Sequence, residues 1–143
     1  MYEYSLQVTP EDIDGNGHVN NVRFLQWMQD AAVAHSDAVG WTTEEYERLG
    51  ASWIVRRHEI DYFHPAFVRD RLIVRTWVRE FRRIRCSRCY EIIRESDGQC
   101  LSKAQTLWVF MDTEANRPRT IPEDMARDFA VPTASDKQQT NGV

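Results

Sequence analysis

Asp12-Ile13-Asp14-Gly15-Asn16-Gly17-His18-Val19-Asn20-Asn21-Val22-Arg23-Phe24 decides how the rest of the chain is read. Two carboxylates, three amides and one imidazole fall within Asp12 to Asn21, with two glycines between them. Glycine lets a backbone turn tightly or approach a ligand closely. Asn and Asp at the mouth of a helix cap its free N–H groups, and those groups favour nearby negative charge. An apolar helical pattern begins directly afterwards. The stretch therefore offers a carboxylate, hydrogen-bonding side chains and an electropositive backbone end in one place. Acyl transfer needs such parts: a group to activate or replace water, and donors aimed at a developing oxyanion. The plainer reading is a loop that only caps a helix.

Working outward, Tyr2 to Val8 alternates and reads as a short strand, which Pro10 ends. From Val22 to Gly40, Phe24, Trp27, Met28, Ala31, Ala32, His35 and Val39 make an apolar stripe at helical spacing. His35 on that stripe reads as a core or interface histidine. Thr42 to Leu49 reads as a second helix, capped by threonine and closed by Gly50. Four strands follow, at Ser52–Phe63, Arg71–Phe81, Ile84–Glu95 and Leu101–Met111, with a hairpin signal at Asp97-Gly98. Arg117 to Pro122 reads as a connector and Pro122 to Phe129 as a short closing helix. Segregated helix and strand indicate one α+β domain with an antiparallel sheet. Its expected extent is residues 1–131, with 132–143 a disordered polar tail.

The net charge of −4 argues against a general nucleic-acid binder. No apolar run is long enough to span a bilayer, and the N-terminus lacks a basic segment leading into an apolar one. Three cysteines without framework spacing suggest reduced thiols and a cytoplasmic protein. Cys86 and Cys89 have redox or metal spacing, but in mid-strand they point to opposite faces. Cys100 is isolated, and His18, His58 and His64 show no metal-motif spacing. There is no Gly-x-Ser-x-Gly elbow and no phosphate or dinucleotide loop.

The quoted stretch resembles the D-x-N-x-H-V-N-N-x-x-Y signature of the plant fatty acyl-ACP thioesterases. Asp14 and Gly17 also resemble the D-P-x-G motif of bacterial hydroxybenzoyl-CoA thioesterases. Both are hot-dog-fold enzymes, and the resemblance runs from about Tyr4 to Asp128. It implies a sheet of about five strands wrapped around one long central helix. It implies an acyl-CoA thioesterase, or one acting on acyl carrier protein, that needs no metal or other cofactor. By the same resemblance Asp14 is the catalytic carboxylate, as nucleophile or general base, and Asn16 and His18 hold substrate and water. Asn20, Asn21 and Phe24 contact substrate at the helix start, and Glu59, with Asp61 next, is the second carboxylate. Phe24 departs from the motif's tyrosine and Gly15 from its proline. Phe81-Arg82-Arg83-Ile84-Arg85 resembles a strand-turn segment of the hydroxybenzoyl-CoA enzymes. Arg82, Arg83 and Arg85, clustered with Arg88, are therefore candidates for the coenzyme A phosphates, with Arg56 and Arg57 a second pair. The long apolar helix and five tryptophans imply a homodimer or a dimer of dimers, since hot-dog domains pair through their sheets. Competing readings are an enoyl-thioester dehydratase on a related fold and a non-catalytic acyl-CoA-binding module.

Overall fold

The computed structural model describes residues 1–130, and the expected tail at 132–143 lies outside them. Strand β1, Tyr2–Gln7, leads through a 3₁₀ turn at Pro10–Asp12 into helix α1, Asn21–Ala38. Helix α2, Thr43–Leu49, follows, and then strands β2, Ala51–Tyr62, and β3, Arg71–Arg79. Strands β4, Arg85–Arg94, and β5, Cys100–Asp112, complete the main sheet. A two-residue β6, Arg117–Pro118, and helix α3, Glu123–Ala130, close the described chain. The sheet order is β1-β3-β4-β5-β2, with β6 beside β5 and every pairing antiparallel.

Helix α1 starts where Asn20 accepts a hydrogen bond from the Val22 N–H at 3.0 Å. It ends at Gly40, whose φ of +94° continues no right-handed helix. Phe24, Trp27, Met28, Ala31, Ala32 and His35 form its buried face. Most of that face packs with Leu72, Val74, Tyr90, Ile92 and Leu101 of the sheet. Burial of each such large side chain is worth roughly 1.5–3 kcal/mol, so the face fixes the helix on the sheet. A second cluster of Ala51, Phe110, Ile121, Met125 and Phe129 sits beyond the C-terminal end of α1, where α2 and α3 cover the sheet.

Two local features differ from the sequence reading. Arg117–Pro118 is a strand rather than a connector, because β5 runs on to Asp112 and turns back. Asp112 Oδ1 accepts from the Glu114 and Ala115 N–H groups, and Asn116 takes φ +53°, which Asn tolerates better than most residues. In β2, the pairing with β5 shifts between Val55 and Arg57, leaving Arg56 as a bulge. A bulge inserts one residue and so exchanges the faces of everything after it. Ile60 therefore packs on the core below α1, while Glu59 and Asp61 point to the opposite face.

Candidate active site

The motif loop is closed on itself and tied to its surroundings by backbone bonds. Asp14 N–H donates to His18 O at 3.0 Å and Gly17 N–H to Asp14 O at 3.2 Å, with Ile13 and Val19 bridged. Gly17 has φ +83°, the left-handed conformation that this tight return requires. The Val19 N–H donates to Ala66 O at 2.9 Å, which fixes the loop to the β2–β3 connection. Asp12 braces it from the other side. Its carboxylate accepts from the Thr9 N–H at 2.9 Å and from the Thr9 hydroxyl at 3.2 Å, and pairs with Arg23 at 3.3 Å.

Asp14 stands apart from this bracing. Its Oδ1 accepts from the Asn16 N–H at 2.8 Å, an Asx turn that holds the carboxylate. Its Oδ2 has no hydrogen bond among the described residues. Directly after the loop α1 presents its N-terminus. The Val22 N–H is taken by Asn20 Oδ1 and the Arg23 N–H by Asn20 O, whereas the Asn21 N–H has no acceptor among the described residues. Tyr62, at the end of β2, donates its hydroxyl to Asn21 O at 3.3 Å and stacks at a tilt on Phe24. His18 meets Phe67 edge-on, with ring centroids 6.5 Å apart. Tyr62, Phe63, Phe67, Val68 and Val22 leave an exposed apolar rim on the described residues around the helix start. A fixed carboxylate on a loop that runs into a free backbone donor supplies the two kinds of group that thioester cleavage asks of a site.

The loop thus brings together Asp14, Asn16, His18, Asn20 and Asn21. Phe24 does not join them as a surface contact: it is 2% exposed and supports the loop from the core. Glu59 does not join them within the chain either. The bulge turns it outward, where it pairs with Arg57, and His58 faces inward in its place, hydrogen-bonded to Thr106 Oγ1 at 2.8 Å. Arg82, Arg83 and Arg85 are exposed on the β3–β4 hairpin. The motif adjoins the other end of β3, where Arg71 pairs with Gln7, so about 30 Å of strand separates the two. Arg88 leaves that cluster altogether. It shares the inward face of β4 with Tyr90 and Ile92, and is buried. The alternation along β4 carried that signal, since every second residue from Cys86 otherwise suits a core.

A cavity of about 250 Å³ opens at the far half of α1, lined among others by Val33, Trp41, Tyr46, Trp53, Arg88 and Trp108. Gln29, the α1 residue of its wall nearest the helix start, lies eight residues beyond Asn21, about 12 Å along the helix. The cavity and the motif loop therefore lie toward opposite ends of α1. Beside the cavity, Arg88 donates to His35 Nδ1 at 3.0 Å, so that nitrogen is an acceptor and the imidazole neutral. Burial first, and the Arg88 charge second, push the His35 pKa down to about 3. Burial pushes the Cys86 thiol up to about 12, which removes it as a nucleophile.

Comparison with known proteins bears on this arrangement. Residues 8–129 match the thioesterase-like superfamily. A 1,4-dihydroxy-2-naphthoyl-CoA hydrolase from Synechocystis is 28% identical over 123 residues, covering 85% of this chain and 89% of the relative. An acyl-CoA thioester hydrolase, YbgC, from Escherichia coli is 20% identical over 129 residues, covering 90% and 96%. The chloroplastic oleoyl-acyl carrier protein thioesterase 1 of Arabidopsis thaliana is 21% identical over 91% of this chain, but the chain spans only 38% of that enzyme's length. Among solved structures, a 1,4-dihydroxy-2-naphthoyl-CoA thioesterase from Synechocystis superposes with a TM-score of 0.83 at 25% identity, covering 90% of this chain and 95% of the other. The antiparallel sheet and the helix packed on it are accordingly those of a hot-dog domain, and the chain belongs to the thioesterase-like superfamily.

Proposed function

We propose that this chain hydrolyses acyl-CoA thioesters, releasing a free acid and coenzyme A. One observation carries the reading. The Asp14 carboxylate is held by the Asn16 N–H immediately before the N-terminus of α1, where the Asn21 N–H is uncommitted. The Asn21 donor and the helix dipole stabilise the oxyanion that forms on the thioester oxygen. Asp14 acts by either of two balanced routes. As nucleophile, its Oδ2 attacks the carbonyl carbon, the C–S bond breaks, and water then hydrolyses the mixed anhydride. As general base, it takes a proton from water while the hydroxide attacks the same carbon. In both, the thiolate leaves and collects one proton. Asn16 and His18 position substrate and water.

The relatives matched over most of their own length are named for coenzyme A thioesters, which favours that carrier over acyl carrier protein. Assembly completes the site in this reading. β2 ends the sheet with one edge unpaired among the described residues, and Ile54 on it is exposed. Unpaired edges are templates for a second strand. Antiparallel pairing of two β2 strands sets the Tyr62 end of one copy beside the Trp53 end of the other. The motif of one copy then adjoins the cavity and the Arg82, Arg83 and Arg85 hairpin of its partner, where those arginines meet the coenzyme A phosphates. A homodimer, alone or doubled, is the active form. The thiols Cys86, Cys89 and Cys100 are unpaired, which fits the reducing cytoplasm.

The test is thiol release over a panel of acyl-CoA substrates, paired with sedimentation. Turnover by a dimer is the expected outcome. Hydration of enoyl-CoA without thiol release, or binding without turnover, would replace this reading by a dehydratase or a sensor.

A further inference from the structure

We infer that the cavity at the far half of α1 is a subsite for an organic anion on a flat apolar body, such as an aryl carboxylate or phenolate, with Arg88 as its donor. Pairing across β4 and β5 puts Cys86 opposite Trp108, Arg88 opposite Thr106 and Tyr90 opposite Ala104, so these side chains share the inward face. Arg88 is 5% exposed. Its Nη1 donates to His35 Nδ1 at 3.0 Å and to Thr76 Oγ1 at 3.1 Å, and its guanidinium lies 5.6 Å from the centre of the Phe129 ring. Its Nε and Nη2 have no hydrogen bond among the described residues. The groups that act electrostatically on it are Tyr90, Cys86, Tyr46 and Cys89, none a carboxylate. Asp37 stands at the exposed rim of the cavity and makes no ion pair with it. The Trp108 N–H and the Tyr90 hydroxyl are buried against each other, with Thr106 beside them, and neither opens into the cavity.

This wall carries a buried cation whose Nε and Nη2 are unused and which has no ion-pair partner among the described residues. Buried polar groups are nearly always satisfied, and a buried cation is nearly always paired, because each otherwise loses its hydration without replacement. An anionic acceptor entering the cavity supplies what Arg88 lacks. Its body is set by the other walls. Trp41, Trp53, Phe81 and Phe129 are flat and apolar. Benzene occupies a cavity of about 150 Å³, so 250 Å³ holds one ring with its substituents. The anion has two possible sources: the acyl end of a thioester substrate, which rests on the thioesterase reading above, or a free acid, which does not.

The experiment has one arm for each source. Titration of the intact protein with benzoate and with benzamide, followed by tryptophan fluorescence, compares an anion with a neutral twin of equal size. Benzoate should bind at least ~10-fold more tightly. Arg88→Met should erase that ratio, and it should fold, because replacing a buried ion by an apolar side chain is commonly tolerated. In the second arm, thiol release is compared between carboxylate- or phenol-bearing acyl-CoAs and their unsubstituted counterparts. A kcat/KM preference for the former of ~10-fold, lost in Arg88→Met, is expected. Equal binding of benzoate and benzamide, or a ratio unchanged in Arg88→Met, overturns the subsite. Arg88-dependent benzoate binding with no acyl-CoA cleaved leaves the subsite standing and removes the thioesterase reading. Cleavage of acyl-CoAs with no preference in either arm does the reverse.

Discussion

Asp12→Ala separates bracing from chemistry in the motif loop. The Asp12 side chain is 12% exposed, and its two oxygens hold the Thr9 N–H, the Thr9 hydroxyl and Arg23. Loss of a capping carboxylate costs about 1 kcal/mol. The Arg23 pair adds only a few tenths of a kcal/mol, since Arg23 is 45% exposed and solvent screens it. The expected total is about 1–1.5 kcal/mol. For a chain of 143 residues that lowers Tm by roughly 3–5 °C. Turnover should fall by no more than ~10-fold, because Asp12 points back to Thr9 and not toward the open side of Asp14, and mere mispositioning of a loop is a partial loss. Urea titration or calorimetry, with thiol release on the same preparation, reads both quantities. A stable Asp12→Ala variant with turnover down by ~10² or more would show that Asp12 is the reacting carboxylate, and would refute the assignment of Asp14.

The remaining predictions concern backbone, pH and charge. Gly17→Ala should cost about 1–2 kcal/mol, since Gly17 sits at φ +83°. Gly15→Ala should stay within ~0.5 kcal/mol, because a Cβ there meets nothing within 4 Å and its φ is not positive; denaturant midpoints of the pair check both. His35 has its folded pKa lowered from 6.5 to about 3 by burial and Arg88. The folded state therefore binds fewer protons than the unfolded one in that window. Its contribution is fully present above pH 6.5 and is lost as pH falls toward 3, at up to about 1.4 kcal/mol per pH unit. His35→Gln, which keeps an acceptor for Arg88, should flatten urea stability between pH 7 and 5 relative to the parent. Replacing Arg82 and Arg83 together with Ala should raise KM for acyl-CoA severalfold at low salt and less at high salt, leaving kcat nearly unchanged; salt-dependent steady-state kinetics decides it.

Features written locally were legible in the sequence. Helix α1 follows from its apolar spacing. Thr42 and Gly50 mark the ends of α2, as the Glu45 N–H donating to Thr42 Oγ1 at 3.3 Å and the left-handed Gly50 bear out. The faces of β3 follow from strict alternation, with Leu72, Val74 and Thr76 buried. Features that depend on pairing were not. Nothing in Val55-Arg56-Arg57 announces a bulge, yet that one residue decides that His58 faces in and Glu59 out. Arg88 adjoins the surface cluster in sequence, and although its parity along β4 points inward, its partners His35 and Thr76 come from α1 and β3 and are visible only once the sheet is assembled. The separation of the cavity from Asp14 is likewise a property of the sheet, since it depends on where β2 ends and which edge stays open.

The central claim is that the Asp14 carboxylate cleaves the thioester. Asp14→Asn tests it most directly, measured as thiol release under saturating acyl-CoA. Asn retains the size of Asp, and its side-chain oxygen can still accept from the Asn16 N–H that Asp14 now binds at 2.8 Å. Fold and Tm should therefore hold, while the charge and basicity are gone. Turnover should drop by at least ~10², the lower end for a positioned acid–base group, and further if Asp14 is the nucleophile. A folded Asp14→Asn protein with turnover within a few-fold of the parent would contradict the account.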